Sequence, residues 1–354
     1  MIKYLGSKRL LVPRIVALAQ AIPGARTALD LFTGTTRVAQ GLKRAGFTVT
    51  ANDLASYSEV LAQAYIAADA RQVDLPALTA ALEELNALPG ERGYFTRTFC
   101  EEARYLQPAN GMRVDAIRAR LETMGLAPAE RAIVLAALLE AADRVDSTTG
   151  LQMAYLKEWS ARSRRPLRLR MPVLLEGEGR ALRMDAREAA KLPILHDVVY
   201  LDPPYNQHSY YRNYHVWETL VRGDAPSTYG VARKREDCRT TRSVFNAKGG
   251  VAEAALGEVL GALQARHVIL SFSDEGFIRL DALREMLTSR FGEVAALPVP
   301  SRRYVGAKIG IYGPDGSLVG APGHLTNTEW LFVAGPDANG IITRADGAAL
   351  AEVA

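Results

Sequence analysis

The chain has 354 residues, 48% of them apolar, and 43 Lys and Arg against 39 Asp and Glu leave a net charge of only +4. That length supports a large core plus a second module, and that composition excludes a disordered chain. Cys100 and Cys238 lack metal-ligand spacing, which excludes a disulfide framework and structural zinc, and no apolar run is long enough to span a bilayer.

At the start, Pro13 and Arg14 break the apolar run that follows Lys8 and Arg9, so a leader peptide is rejected and a cytoplasmic protein is expected. Residues 2–9, Ile-Lys-Tyr-Leu-Gly-Ser-Lys-Arg, set Gly6 and Ser7 between Tyr4 and Lys8 ahead of a helix reaching Gln20. This reads as a loop for a nucleotide or carboxylate, with Lys8 near an anion. A strand from Thr27 through Phe32 then enters a turn at Gly34, followed by a helix to Arg44. A second strand, Phe47 to Ala51, ends at Asn52-Asp53, so Asp53 lies 23 positions after Asp30. The arrangement is a βαβ start like the nucleotide-binding fingerprint, whose second acid takes ribose hydroxyls. It departs from that pattern at Thr36, where a later glycine is expected, so a less close backbone approach to the ligand is predicted there.

Residues 57–170 have a different character. Helical spacing runs over Glu59–Ala70, Leu75–Leu88, Met112–Met124 and Glu130–Val145, the last with Leu135, Leu138, Leu139, Ala142 and Val145 on one face. Tyr94 to Tyr105 is rich in aromatics. The stretch from Lys157 to Arg170 carries six cations and one acid, and Lys157, Arg162, Arg164 and Arg165 suit a phosphate backbone as well as they suit solvent.

The α/β pattern resumes with a strand from Arg180 that ends at Asp185. Val198 to Leu201 is a buried strand that must stop at Asp202-Pro203-Pro204-Tyr205, because neither proline can donate to a ladder. A carboxylate, a proline carbonyl and an aromatic ring are thereby gathered at a strand's carboxyl end, the edge where open α/β sheets bind ligands. Aromatic and polar groups, among them Asn213, Tyr214 and His215, follow up to Leu220. Residues 222–250, with Arg233, Arg235, Arg242 and Lys248, read as a cationic, mobile loop. Strands are expected at His267–Ser273, Glu293–Val299 and Asn327–Val333, and a helix at Leu280–Leu287. The tail after Gly335 shows little periodicity.

The Asp202–Tyr205 stretch resembles the D-P-P-Y motif of amino-methyltransferases. Over most of its length the sequence resembles the D12 class of DNA adenine methyltransferases, and within it the modification methylases of Type IIS restriction systems. Tyr4-Leu-Gly-Ser-Lys-Arg9, Asp30-Leu-Phe-Thr-Gly34, Asn52-Asp53, Ala141–Gly150 and Asp202–Asn206 continuing to Asn213-Tyr-His215 and Glu218 carry the likeness. The resemblance implies S-adenosylmethionine as donor, a flipped adenine as acceptor and double-stranded DNA as partner, with no metal. It further implies the modification enzyme of a restriction-modification system, while the sequence leaves open whether a cognate endonuclease accompanies it. It predicts a Rossmann-like α/β catalytic domain over 1–56 and 171–335, a mostly helical target-recognition insertion over 57–170, and a tail over 336–354. Tyr4, Gly6, Ser7 and Lys8 would flank the methionine part of the donor. Asp30, Phe32 and Gly34 would form its turn, Asp53 would bind ribose, and Asp185 would meet the adenine ring. Asp202, Pro203, Pro204 and Tyr205 would be catalytic: the Asp202 carboxylate and Pro203 carbonyl accept from the acceptor amine, and Tyr205 stacks on the base. Two alternatives stand beside this reading. One is a cytosine-N4 enzyme, disfavoured because such members usually have serine in place of Asp202. The other is a degenerate nucleic-acid-binding module.

Overall fold

The computed structural model describes residues 2–156, 158–302, 311–312, 318–320 and 326–351. Among these the strands, in chain order, are β1 (Thr27–Asp30), β2 (Thr48–Asp53), β3 (Gly179–Arg183), β4 (His196–Leu201), β5 (Thr228–Tyr229), β6 (Lys234–Arg235), β7 (Ala265–Ser273), β8 (Val294–Arg302), β9 (Ile311–Tyr312), β10 (Leu318–Gly320) and β11 (Thr326–Ala334). The chain is α/β, as its pattern predicts. It divides into two compact units, each assembled from three separate segments. The first comprises Met1–Pro13, Arg26–Ala189 and His208–Arg242, and the second Arg14–Ala25, Ala190–Gln207 and Ser243–Ala354. The helical stretch 57–170 belongs to the same unit as β1, β2 and β3.

In the first unit β2 pairs in parallel with β1 on one side and β3 on the other, with Ala51 opposite Asp30 and Ala181. Parallel neighbours need a crossover, and the helix Arg37–Arg44 supplies it between β1 and β2 while burying Val38, Ala39 and Leu42. The helix Ser56–Ala62 runs on into a π-helical turn, Gln63–Ala67. Further helices span Leu75–Ala87, Pro108–Leu121 and Pro128–Arg144. The first of these is capped by Asp74, whose carboxylate accepts from the Ala77 N–H at 3.0 Å. Pro128–Arg144 is the core of the helical part. Ile133, Val134, Leu138 and Leu139 are all solvent-inaccessible, a wider apolar face than the single stripe predicted.

The segment His208–Arg242 returns to this unit with the helix His215–Arg222, whose buried Glu218 accepts the N–H groups of Ser56 (3.0 Å) and Tyr57 (3.3 Å). These are orphan donors of a helix N-terminus, so a residue 162 positions away serves as the cap. The stretch read as a mobile loop contains local structure: β5 and β6 form a hairpin, and Arg235 and Cys238 are buried.

In the second unit β4 pairs in parallel with β7, and β11 runs antiparallel to both β7 and β8. β4 ends at Leu201, as the following prolines require. Helices span Val251–Ala262, Leu280–Phe291 and Ala338–Ala351. The last corrects the expectation of an aperiodic tail: Ala338, Ile341 and Ala345 are buried on one face. Alanine spaced this way gives little hydropathy contrast, and Gly340 and Gly347 interrupt the helical signal. Among the described residues no helix is long and apolar enough to cross a membrane.

Candidate active site

The residues singled out by sequence fall into two groups, one in each unit. In the first unit β1 ends at Asp30, which is buried. Its Oδ2 accepts from the Thr33 hydroxyl at 2.9 Å and from the Ala39 N–H at 3.1 Å. Asp30 thus braces the turn from within, joining the strand's end to the first turn of the next helix. Gly34 adopts a left-handed φ of +51°, and a Cβ there would come within 3.0 Å of the Tyr4 ring. Its N–H donates to Asp53 Oδ2 at 2.9 Å, while Asp53 Oδ1 accepts from the Ala55 N–H at 3.1 Å. Burial pushes the Asp53 carboxyl up, and these N–H groups oppose that shift by stabilising its charge. Phe32 is half-buried in the same turn.

Thr36 also takes a left-handed φ, +61°, although it is β-branched and fully buried. The conformation a glycine would supply is therefore kept without the glycine. The strain is held by local bonds: the Thr36 hydroxyl donates to the Thr35 carbonyl at 2.7 Å and accepts from Gln40 Nε2 at 2.8 Å.

The N-terminal loop meets this turn through Tyr4. Its hydroxyl lies 3.2 Å from that of Tyr57, and its ring stacks on Tyr210 and Tyr214 at 5.2 and 4.6 Å between centroids. Burial, then the neighbouring Tyr57 and Asp53, push the Tyr4 phenol well above its ordinary range, so it stays protonated. The Leu5 N–H donates to the Tyr214 hydroxyl at 2.6 Å. Gly6 has φ +68°, and a Cβ there would press on the Tyr210 hydroxyl at 2.9 Å. Ser7 is exposed, whereas Lys8 is buried with its ammonium 3.4 Å from the Gly6 carbonyl. Asp185 stands just beyond the end of β3, where its carboxylate is forked by Arg187 at 3.0 and 3.2 Å and also accepts the Arg187 N–H.

In the second unit Asp202, Pro204 and Tyr205 are half-buried and Pro203 is buried, directly after β4. The Tyr205 ring meets Phe272 edge to face at 5.8 Å, and its carbonyl accepts from the Phe277 N–H at 2.8 Å. Asn206 is held through its carbonyl by Asn246 Nδ2 at 2.7 Å. The D-P-P-Y turn is therefore fixed by the end of β7 and the segment after it, which carry Phe272 and Phe277.

The DNA-contact candidates separate by burial. Arg164, Arg165, Arg242 and Lys248 are exposed. Lys157 lies outside the described residues. Arg162 donates to Asp146 and Arg233 reaches Glu102 at 3.2 Å, so both already hold internal partners. Asn213, Tyr214, His215 and Arg235 are buried, which corrects their reading as DNA contacts. His215 Nε2 bonds the Gln152 carbonyl at 2.8 Å, and burial lowers its pKa to about 3, leaving it neutral. Arg235 directs all five donors inward: to Asp224 at 2.7 Å twice, to Asp237 at 2.8 and 3.1 Å, and to Thr219 at 3.1 Å. Burial alone would lower its pKa; the two carboxylates reverse that and hold the guanidinium charged.

Several positioning residues escaped sequence reasoning. Tyr57 and Trp217 complete the aromatic cluster around Tyr214, with Trp217 stacked on it at 4.5 Å. Asn52 ties β1 to the end of β3, donating to the Leu31 and Met184 carbonyls and accepting the Met184 N–H. Its place beside Asp53 was the available signal. Phe272 lies in the expected strand His267–Ser273 and meets the Tyr205 ring.

A family model described as D12 class N6 adenine-specific DNA methyltransferase matches residues 4–286. The chain is 31% identical over 321 residues to the modification methylase StsI of Streptococcus sanguinis, covering 85% of this chain and 48% of that protein. It is 31% identical over 286 residues to the type II methyltransferase M.NlaIII of Neisseria lactamica, covering 78% and 83%. It is 26% identical over 306 residues to the type II methyltransferase M.FokI of Planomicrobium okeanokoites, covering 81% and 47%. The chain thus spans about half the length of two of these relatives and most of the third. The chain belongs to the D12 class of N6 adenine-specific DNA methyltransferases.

Proposed function

We propose that this chain transfers a methyl group from S-adenosylmethionine to the exocyclic N6 of an adenine flipped out of duplex DNA, as the modification enzyme of a restriction-modification system. The observation that carries the reading is the Asp202-Pro203-Pro204-Tyr205 turn, set directly after β4 and clamped by Phe272 and Phe277 in a chain of this family.

The donor fits the first unit's residues. Both loops use left-handed glycines where a Cβ would press on an aromatic residue, Gly34 against Tyr4 and Gly6 against Tyr210, so the backbone there has to be bare. Asp53 ends β2 with a carboxylate steadied by two N–H groups, each oxygen keeping a further lone pair for a ribose hydroxyl. When bound, S-adenosylmethionine supplies an electrophilic methyl on a sulfonium centre. Tyr4 and Gly34 line its place, while Asp30 holds the turn's shape from behind.

In the second unit, Asp202 and the Pro203 carbonyl accept the two amine hydrogens of the base. This favours a pyramidal nitrogen and stabilises the charge that grows on it. Tyr205, pinned at its carbonyl and braced at its ring, stacks on the extruded base. Proximity and orientation then carry much of the rate. Exposed Arg164, Arg165, Arg242 and Lys248 serve as phosphate anchors.

Mass spectrometry of nucleosides from duplex DNA incubated with the protein and labelled donor tests the reading. N6-methyladenine is expected. N4-methylcytosine would move the acceptor to cytosine, and unmodified DNA at every sequence offered would defeat the enzymatic assignment.

A further inference from the structure

Within the first unit lies a pocket of about 370 Å³, large enough for a small ligand. Four arginines line it, Arg37, Arg44, Arg144 and Arg170, with Glu140 the one acid among its lining residues. None of Tyr4, Gly34, Asp53 or Asp185 borders it, so it is separate from the proposed donor site.

The acid is already committed: Glu140 accepts from the Tyr65 hydroxyl at 3.0 Å and from Arg144 at 3.5 Å. Tyr65 is placed by the π-helical turn Gln63–Ala67, a local widening that recurs at functional sites. Arg144 also donates to the Arg168 carbonyl at 3.0 Å, and Arg44 to Gln40 at 3.3 Å, so both guanidiniums are fixed in direction. Arg37 differs. It is half-buried and forms no side-chain hydrogen bond or ion pair with any described residue. A guanidinium stays charged at all ordinary pH, and burying one without a partner is costly. Burial disfavours its charge, and Tyr65 and Glu140 offset that only through space, without a hydrogen bond, whereas an anion in the pocket would bond it directly.

The pocket also adjoins the basic stretch at the end of the helical region. Residues 167–170 alternate, with Leu167 and Leu169 buried and Arg168 and Arg170 exposed. The alternation is locked by side chains. Asn110 accepts the Leu167 N–H at 2.8 Å, Asn86 accepts the Leu169 N–H at 2.9 Å, and Arg113 donates to the Leu167 carbonyl at 3.1 Å. An extended ribbon in fixed register thus leads its last arginine to the pocket's edge.

We infer that this pocket binds a phosphate-bearing ligand, with Arg37 and Arg170 as its principal contacts. Planar guanidinium forks match phosphate oxygens in pairs, and a net lining charge of three positives suits a multiply charged anion. The inference goes beyond methyl transfer and does not rest on it. Two sources share the chemistry: a backbone phosphate of a DNA strand running along the ribbon, or a free polyphosphate.

Calorimetry of the full chain with pyrophosphate, without DNA or donor, is the test. One saturable site is expected. Arg37→Gln and Arg170→Gln should each weaken it about tenfold or more, the worth of one charge-assisted hydrogen bond, and Arg120→Gln, in a surface pair with Glu84, should leave it unchanged. Arg170 is exposed and holds no partner among the described residues, so its variant keeps the test decisive even if Arg37→Gln unfolds. No saturable binding by the unmodified chain, or full binding by both pocket variants, would overturn the inference. Given binding, a duplex that displaces pyrophosphate identifies the backbone as the source, and simultaneous binding identifies a free polyphosphate; both results support the phosphate site.

Discussion

Asp202 and Asp30 are both aspartates next to a strand end, yet they are given opposite work. Asp30 is buried and spends an oxygen on the Thr33 hydroxyl and the Ala39 N–H, so it shapes a turn. Asp202 is half-buried beyond the ladder, and the proposed function sets it against the acceptor amine. Asp202→Ala should therefore cut methyl transfer on the order of a hundredfold or more while the affinity for S-adenosylmethionine holds. Turnover with labelled donor and donor calorimetry separate the two quantities, and near-normal turnover would remove Asp202 from the chemistry. Residue types at strand ends were legible in sequence because prolines and the Gly34 turn dictate where strands stop. Direction was not: nothing in the order Asn213-Tyr214-His215 reveals that all three point into the core. Thr36 shows the same gap, since its departure from glycine was plain but its retention of a left-handed backbone was not.

Two basic segments that look alike in sequence behave differently as elements. The β5–β6 hairpin is built around buried Arg235, whose guanidinium pairs with the more exposed Asp224 and Asp237. Arg235→Gln removes the buried one of two cations on these carboxylates, Arg222 remaining 2.9 Å from Asp224, and denaturant unfolding should show a loss of about 2–3 kcal/mol. A loss under about 1 kcal/mol would mean that the hairpin is not held this way. The stretch 160–170 buries its leucines and presents Arg164 and Arg165 to solvent. Arg164→Gln with Arg165→Gln should leave stability within about 0.5 kcal/mol. It should lower affinity for all duplexes alike and flatten the salt slope by about one unit per lost phosphate contact. An unchanged slope would mark both as solvated surface. Charge density in sequence could not separate these cases, because the deciding partners of Arg235, Asp224 and Thr219, are supplied by the preceding helix and its end. Helices with strong leucine spacing were legible; Ala338–Ala351 was not, for want of contrast.

At the scale of the molecule, a defined part of the acid response follows from the buried carboxyl of Asp143. Asp143 closes the helix Pro128–Arg144 against Lys3, 3.0 Å away, and burial raises its pKa to about 6, with Lys3 opposing and Asp146 adding to the shift. A raised pKa means a contribution that is full below the unfolded value near 4 and lost as pH climbs to 6. Relative to Asp143→Asn, the unmodified chain should therefore lose stability between about pH 4 and 6, by at most roughly 3 kcal/mol. A pH-independent difference between the two would refute the assignment. The interleaving of segments has a different consequence, one of timing. The aromatic cluster of the first unit joins Tyr4 and Tyr57 to Tyr214 and Trp217, and the bond from Leu5 to Tyr214 spans 209 positions. At about 5–20 residues per second, a ribosome needs on the order of 10–40 s to deliver Tyr214 after Leu5. Throughout that interval the Tyr4 and Tyr57 rings have no stacking partner from the later segment, and the helix beginning at Ser56 lacks Glu218 as its cap. The nascent chain must carry this open aromatic surface until the His215–Arg222 helix emerges, which makes its early half a natural client for holding chaperones.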